Sequence, residues 1–431
     1  MIGWVVDAAL PSNPDSIVAV VGHGAASVTP LLPSEALIAV QEEQFGTGHA
    51  TQIGLDALSE VDEDDTVVVL YGDMPLLTAS LVSDLVGRPD DVNAVMVTTN
   101  PDDPSGYGRV IREGDRVVGI VEDQDCTVEQ KQIGEINAGV YAFRAGDLIS
   151  ALAEIRDDNA QGERYLTDVI GILSERGATL STVTADPQEV VGINSQDQLS
   201  DAQALLQERI NRRHMEDGVW ILDPKSTYID EAVTIEPGAR IYPGVHLEGS
   251  SSVAADAQVG PDVFAVDSSI GPGARVWYSV LRSAQVGEGC EVGPYASLRP
   301  GTVLGRGSKA GTFVETKNTT FGEGAKAPHL SYLGDATVGR RANIGAGTIT
   351  CNYDGYEKHE TFIGDEAFIG SDTMLVAPIT VGDRAITGAG SVITKDIEDD
   401  ALAVERNEQR TIPGYAQRRA ERQAAKKVEE S

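Results

Sequence analysis

The stretch Val286-Gly287-Glu288-Gly289-Cys290-Glu291-Val292-Gly293-Pro294-Tyr295-Ala296-Ser297-Leu298-Arg299-Pro300-Gly301-Thr302-Val303-Leu304 puts an aliphatic residue at every sixth position. The same period runs upstream through Ile229, Ile235, Ile241, Leu247, Val253 and Val259, and downstream through Ile363, Ile369, Leu375 and Val381. Glycine often follows the aliphatic, as at Val286-Gly287, Val292-Gly293, Val338-Gly339, Ile344-Gly345 and Val381-Gly382. A period of six fits neither an amphipathic helix, at about 3.6, nor a half-buried strand, at about two. It fits a parallel β-helix, in which each hexad supplies one short strand and a corner, and three hexads close a coil. The aliphatic points inward and stacks on its equivalent one coil away, and the glycine takes corner geometry that a Cβ would obstruct. The repeat predicts an all-β parallel β-helix over residues 229–392, with the register ending after Lys395. Two polar stretches, 309–319 and 351–360, interrupt the register and are expected as loops thrown out between coils, where a rigid scaffold presents chemistry.

Working outward, residues 1–195 alternate between strand and helix. Strands are expected at 16–21, 66–70, 94–99 and 179–184, helices at 50–59 and 166–176, and a hairpin over 109–122 around Glu113-Gly114-Asp115. That order predicts an α/β, Rossmann-like domain with a mainly parallel sheet. The apolar run Thr66-Val67-Val68-Val69-Leu70 reads as a strand buried on both faces. Ser195, with Gln198 three residues on, reads as a capping box that opens a long helix. The expected organisation is an α/β domain at 1–195, a linker helix at 196–217, the β-helix at 218–413 and a charged tail at 414–431, helical or disordered.

The chain of 431 residues carries 33 basic and 67 acidic side chains, a formal charge of −34. Such a field repels nucleic acid and anionic membranes, so neither is expected as a partner. No stretch approaches the roughly 18 apolar residues of a membrane span. Three scattered cysteines, Cys126, Cys290 and Cys351, suit a reducing, cytoplasmic setting without a disulfide framework. Against the acidic background, Arg299, Lys309, Lys317, Lys326, Arg340, Arg341 and Lys358 form a local basic cluster in the repeat region.

In the first domain Tyr71-Gly72-Asp73 directly follows an apolar strand, where open α/β sheets bind ligands. Mg²⁺ takes one or two protein oxygens and fills its shell with water and phosphate, so Asp73 and Asn194 suit it. Asp73 capping a turn is the plainer alternative. Gln41 to His49 is glycine-rich without the pattern of a P-loop. In the β-helix, His329 could accept a proton from an attacking amine or hydroxyl, although a lone histidine also serves structure. Arg299 and Lys317 suit a phosphate, arginine as a bidentate fork and lysine as a point charge.

Taken together, Arg299-Pro300-Gly301, Phe313-Val314-Glu315-Thr316-Lys317, His329 to Asp335, Asn343 to Thr348 and Asn352-Tyr353-Asp354-Gly355 resemble one bacterial family. It is that of the bifunctional UDP-N-acetylglucosamine pyrophosphorylase and glucosamine-1-phosphate N-acetyltransferase. The resemblance covers nearly the whole chain and implies a left-handed β-helix, a homotrimer, and acetyl transfer between neighbouring subunits. It implies that His329 is the general base toward the glucosamine nitrogen, and that Arg299, Lys317, Tyr332, Asn343 and Lys358 bind the sugar phosphate. Ala346, Asn352, Tyr353, Ser371, Ala389 and Arg406 would contact acetyl-CoA, with backbone or asparagine donors steadying the oxyanion. For uridyl transfer from UTP, Gln41, Gly46, Thr47, Tyr71, Gly72, Asp73, Gly108, Glu122, Asn137 and Asn194 would contact the sugar nucleotide, with Asp73 and Asn194 holding Mg²⁺.

The family opens with a glycine-rich phosphate-binding strand and loop, whereas this sequence begins at what resembles the first helix, Val5-Val6-Asp7-Ala8-Ala9. The resemblance therefore implies retained acetyl transfer and lost uridyl transfer. Two rivals differ in kind. A metal-dependent hexapeptide enzyme would need convergent imidazoles, and His246, His329 and His359 stand far apart in register. A non-catalytic assembly subunit would need no His329 beside this set of cations; another hexapeptide acyltransferase is a further alternative.

Overall fold

Strands of the repeat region pair in parallel with strands mostly 16 to 18 residues further along. Ile229 lies against Leu247, Val253 against Ile270, and Val286 against Leu304. Each turn thus uses three hexads, and every aliphatic that defined the period is buried. Two faces of the coil join into one 17-stranded sheet and the third is an 11-stranded sheet. A computed structural model describes residues 1–406 and 408–429, the last three in backbone alone. It divides into two units, Met1–Leu206 and Gln207–Ser431.

The glycines after the aliphatics are explained by close approach of the next coil. A Cβ on Gly287 would stand 2.5 Å from the Leu304 carbonyl oxygen, and one on Gly345 would stand 2.6 Å from that of Ile369. Neither contact is with a side chain that could swing away.

The expected loop at 309–319 is absent. Lys309–Thr312 and Glu315–Phe321 are strands, paired in register on the coils before and after them. The hydrophobic period fails there because inward positions are polar but satisfied. The Thr316 hydroxyl meets that of Thr302 at 3.0 Å, and the Thr319 hydroxyl donates to the Leu333 carbonyl at 2.8 Å. The second interruption is a true loop. Asn343 pairs with Phe368, 25 residues on, and the surplus is extruded as a small hairpin closed by an antiparallel bridge between Tyr353 and Lys358.

In the first unit the strands are β1 (Val18–Val21), β2 (Leu37–Val40), β3 (Thr66–Val69), β4 (Ala94–Thr99), β5 (Arg109–Glu113), β6 (Arg116–Val121), β7 (Ile136–Arg144) and β8 (Leu180–Thr184). The sheet is mixed rather than mainly parallel. β7 runs antiparallel to β3, β4 and β5, while β4–β8 is parallel and β1–β2 form a separate parallel pair. The expectation for β3 also fails. It pairs with β7 alone and stays partly exposed, whereas β4 and most of β7 are fully buried. Apolar content alone does not separate a strand with one neighbour from one with two. The hairpin β5–β6 forms as expected.

The long helix spans Gln196–Glu216. Ser195 Oγ accepts from the Gln198 N–H at 3.4 Å, and Gln198 Oε1 accepts from the Asn194 N–H at 2.7 Å, so the cap is reciprocal but displaced by one residue. The tail forms a helix, Tyr415–Glu429. Among the described residues, no helix is long and apolar enough to cross a membrane.

Candidate functional site

In the β-helix the candidate residues collect at two neighbouring corners of the triangular coil. At the first corner the chain turns through Leu330, at φ 50°. The register that sets Lys326 beside Asn343 places His329 level with Ala346. The next steps set Ala346 level with Ser371 and Ser371 level with Ala389. The backbone confirms the stacking, because the Asp372 N–H donates to the Ala346 carbonyl and the Gly390 N–H to that of Ser371. Arg406 closes the line with a hydrogen bond from Nη1 to the Ala389 carbonyl at 3.2 Å. His329 is thus the foot of a column whose higher members are the expected acetyl-CoA contacts, and its ring is exposed. Asn343, next to Lys326 and Phe368 on the 11-stranded sheet, belongs to this side.

The second corner turns through Asp335, at φ 47°. The two corner residues are five positions apart, about 16 Å of extended chain. Here Lys317 pairs with Gly334. A Cβ on Gly334 would come within 2.4 Å of the Tyr332 hydroxyl and 2.7 Å of Asn352 Nδ2, so both side chains close over that glycine. Lys358, carried by the extruded hairpin, stands beside Lys317 and pushes its ammonium below the usual lysine value, with Arg299 acting in the same direction. The hairpin is clasped by Asp354, which accepts from the Tyr356 and Glu357 N–H groups and meets His359 Nε2 at 2.9 Å. Tyr353 is exposed on the same hairpin.

The seven cations do not form one patch. Arg299 is paired with Glu315, Lys309 with Glu291, Arg340 with Asp365 and Arg341 with Glu366. Lys309 and Lys326 lie on the 11-stranded sheet, while Lys317 is on the other. The cationic centre narrows to Lys317, Lys358 and the half-neutralised Arg299. Sequence reasoning passed over Glu315 and Asp335, although both lie inside the quoted motifs.

In the first unit, Tyr71 occupies the middle of the expected nucleotide-sugar site. Burial pushes its hydroxyl up to about 12, with contributions from Glu122 and Asp73, and Thr47 is its hydrogen-bond partner. Its ring lies on Gly139, where a Cβ would be 2.5 Å away. Thr47 Oγ1 accepts from the Leu166 N–H, Glu122 accepts from Thr167, and the Gly108 carbonyl accepts from the Asn137 N–H. The Asn137 amide donates to Tyr141 at 2.7 Å. Gln41 Nε2 reaches His49 Nδ1 at 3.0 Å and the Gly46 carbonyl at 3.3 Å. Gly72 packs against Ile2 closely enough that a Cβ would meet it at 2.9 Å.

Asp73 lies against the segment Gly192-Ile193 that leads into Asn194. The Ile193 N–H donates to the Asp73 carbonyl at 3.0 Å, and a Cβ on Gly192 would lie 3.6 Å from Asp73 Oδ2. Burial raises the Asp73 carboxyl above its ordinary range, partly offset by its own backbone N–H. A half-buried carboxylate is a fitting oxygen donor for a hard cation, and Asn194 is exposed two residues beyond Gly192.

An α/β nucleotidyltransferase-like unit followed by a hexapeptide β-helix defines a two-domain transferase. The MobA-like NTP transferase domain matches residues 1–210, and the bacterial transferase hexapeptide repeat matches residues 360–395. The chain belongs to the GlmU family of bifunctional proteins, which unite nucleotidyl and acetyl transfer in UDP-N-acetylglucosamine synthesis. It is 46% identical to the bifunctional protein GlmU of Streptomyces avermitilis, over 100% of this chain and 91% of that one. Against the protein of the same name in Streptomyces coelicolor it is 47% identical with the same coverage. For that of Heliobacterium modesticaldum the figures are 46%, 94% and 89%. The expected loss of uridyl transfer finds no support here, since the nucleotidyltransferase match begins at residue 1.

Proposed function

We propose that the β-helix transfers the acetyl group of acetyl-CoA to glucosamine-1-phosphate with His329 as general base. The observation that carries this reading is the column of His329, Ala346, Ser371 and Ala389, capped by Arg406 and lying one corner from Lys317 and Lys358. The sugar nitrogen attacks the thioester carbonyl while His329 accepts its proton. The C–N bond forms, the C–S bond breaks, and coenzyme A leaves as the thiol after taking up a proton. Lys317, Lys358 and Arg299 hold the sugar phosphate, with Tyr332 beside them, while Asn343 stands on the His329 side. Asn352 and Tyr353 present polar groups toward the acyl donor, and backbone or asparagine donors steady the oxyanion.

The two corners of one chain hold complementary halves of this site, which supports completion by a neighbouring copy in a trimer. An exposed ladder of Tyr278, Tyr295 and Phe313, with ring centroids 5.8 and 5.3 Å apart, continues to Leu330 beside His329 and suits such a contact. The three free cysteines agree with a cytoplasmic setting.

The α/β unit transfers uridyl from UTP to N-acetylglucosamine-1-phosphate. Tyr71, Thr47, Glu122, Gly108 and Asn137 line the sugar and nucleoside end, with Gln41, Gly46 and Gly72 at its edge. Asp73 and Asn194 would hold Mg²⁺, which when bound neutralises charge on the departing pyrophosphate.

The test is acetyl-CoA-dependent thiol release with glucosamine-1-phosphate, comparing the wild type with His329→Ala. A fall of about 10²–10⁴-fold is expected for loss of a general base. An unchanged rate would remove His329 from this role.

A further inference from the structure

We propose that Asp335 is a positioning residue for acetyl transfer: it anchors the hairpin that carries Lys358 and supplies the negative charge that lets Lys358 and Lys317 face each other. The inference rests on the site reading above. Asn318, Asp335 and Asn352 stand one above another on successive coils, 17 residues apart. Asp335 Oδ1 accepts from Asn318 Nδ2 at 2.8 Å, and Oδ2 accepts from Asn352 Nδ2 at 2.5 Å. Both carboxylate oxygens are taken up by these amides, so it acts through its neighbours.

Three observations bear on Asp335. It is 9% exposed, a carboxylate taken almost wholly out of water. It occupies the left-handed region at φ 47°, which aspartate and asparagine tolerate better than other side chains, as does Asn318 beneath it. Burial alone would raise its carboxyl, yet the amides of Asn318 and Asn352 and the charges of Lys358 and Lys317 hold it below the ordinary range. A buried carboxylate is tolerated only when hydrogen-bonded and charge-compensated. Here the compensation is mutual, because two ammonium groups side by side also need a counter-charge when no phosphate is bound.

The mechanical consequence follows from sequence order. Asn352 is the last residue before the hairpin 353–358, and the His359 N–H returns to the Asn352 carbonyl at 2.8 Å. Pinning the Asn352 amide therefore fixes the base of the hairpin, where Lys358 bridges to Tyr353. An asparagine at 335 keeps the shape but loses the charge, and it offers an NH₂ to one neighbour that is itself a donor.

The test compares Asp335→Asn, Asn318→Ala and Lys358→Gln, with Asp335→Asn also made in the Lys358→Gln background. In Asp335→Asn the KM for glucosamine-1-phosphate is expected to rise about tenfold, the loss of one charge-assisted contact of about 1.4 kcal/mol. Its kcat should stay near that of the wild type. Asn318→Ala breaks the ladder on the side away from the hairpin and should lower thermal stability without that KM change. In the Lys358→Gln background, Asp335→Asn should raise KM little further, because its partner charge is gone. The proposal is overturned if KM is unchanged or lowered in Asp335→Asn, if Asn318→Ala reproduces the effect, or if the losses multiply independently. His329→Ala, run alongside, separates the two failures. A silent His329→Ala sinks the site reading, whereas an inactive His329→Ala with an unaffected Asp335→Asn sinks this inference alone.

Discussion

Arg299 Nη1 donates to Glu315 Oε1 at 2.8 Å, so the arginine offered to the sugar phosphate is already held by a carboxylate on the next coil. The pair is about half exposed, 41% and 44%, and such pairs contribute only about 0–1 kcal/mol to folding. Its worth lies in orientation, since fixing a rotamer-rich arginine in advance removes roughly 1 kcal/mol of ordering cost. Glu315→Gln is expected to leave thermal stability almost unchanged and to raise the KM for glucosamine-1-phosphate about fivefold. Steady-state kinetics and a melting curve on the same sample check both halves.

The close approach of coils at Gly287 predicts a stability effect with no catalytic component. Gly287→Ala forces a Cβ to 2.5 Å from the Leu304 carbonyl oxygen, and backbone must move to admit it. Overpacking of this kind costs about 1–3 kcal/mol. Calorimetry should show a lower melting temperature for the β-helix transition, with uridyl transfer intact. Leu298→Ala, which empties a fully buried stacking position, should cost about 2–5 kcal/mol.

Asp168 opens the helix Asp168–Glu175, and burial, followed by the nearby Glu122, pushes its carboxyl up to about 6. A carboxyl whose folded value exceeds its unfolded one binds more protons in the native state, so it opposes folding once ionised. The penalty is full above about pH 6 and is relieved as pH falls toward the ordinary carboxylate value near 4. Asp168→Asn should therefore melt higher than wild type at pH 8, with the difference shrinking toward pH 5. A constant difference across that range would contradict the assignment.

Asp354 shows the opposite sign. The Glu357 N–H, His359 and the Tyr356 N–H hold its carboxyl well below the usual range. Its contribution is present above the unfolded value near 4 and is lost only as pH falls through the folded one. Across pH 5–9 the hairpin should then stay closed as far as Asp354 is concerned. Asp354→Ala is expected to speed limited proteolysis within 353–358 and to raise the KM for glucosamine-1-phosphate through Lys358, with kcat changed less.

The coil was legible because inward aliphatics at every sixth residue have no other regular fold to serve. Its limit shows at Thr316 and Thr319, where hydroxyls paired inside the coil erase the apolar signal without disturbing the backbone. In the α/β unit Val67, Val68 and Val69 read like a central strand, since burial depends on neighbours that composition does not reveal. His329 and Lys317 were singled out for their chemistry, and Lys358 through the resemblance. Asp335 was not, because a buried carboxylate among polar residues looks like any surface corner. The 17-residue spacing of Asn318, Asp335 and Asn352, one coil each, was the available signal.

The column above His329 has a further consequence. Consecutive rungs repeat at about 4.8 Å, the ordinary distance between hydrogen-bonded strands. Any elongated carrier laid along Ala346, Ser371 and Ala389 is gauged in whole rungs, and Arg406 marks the far end of the scale. Reach and reactivity are therefore separable by design. Adding or removing one full turn above the imidazole would change how long a tail is accommodated while leaving the chemistry at its foot untouched.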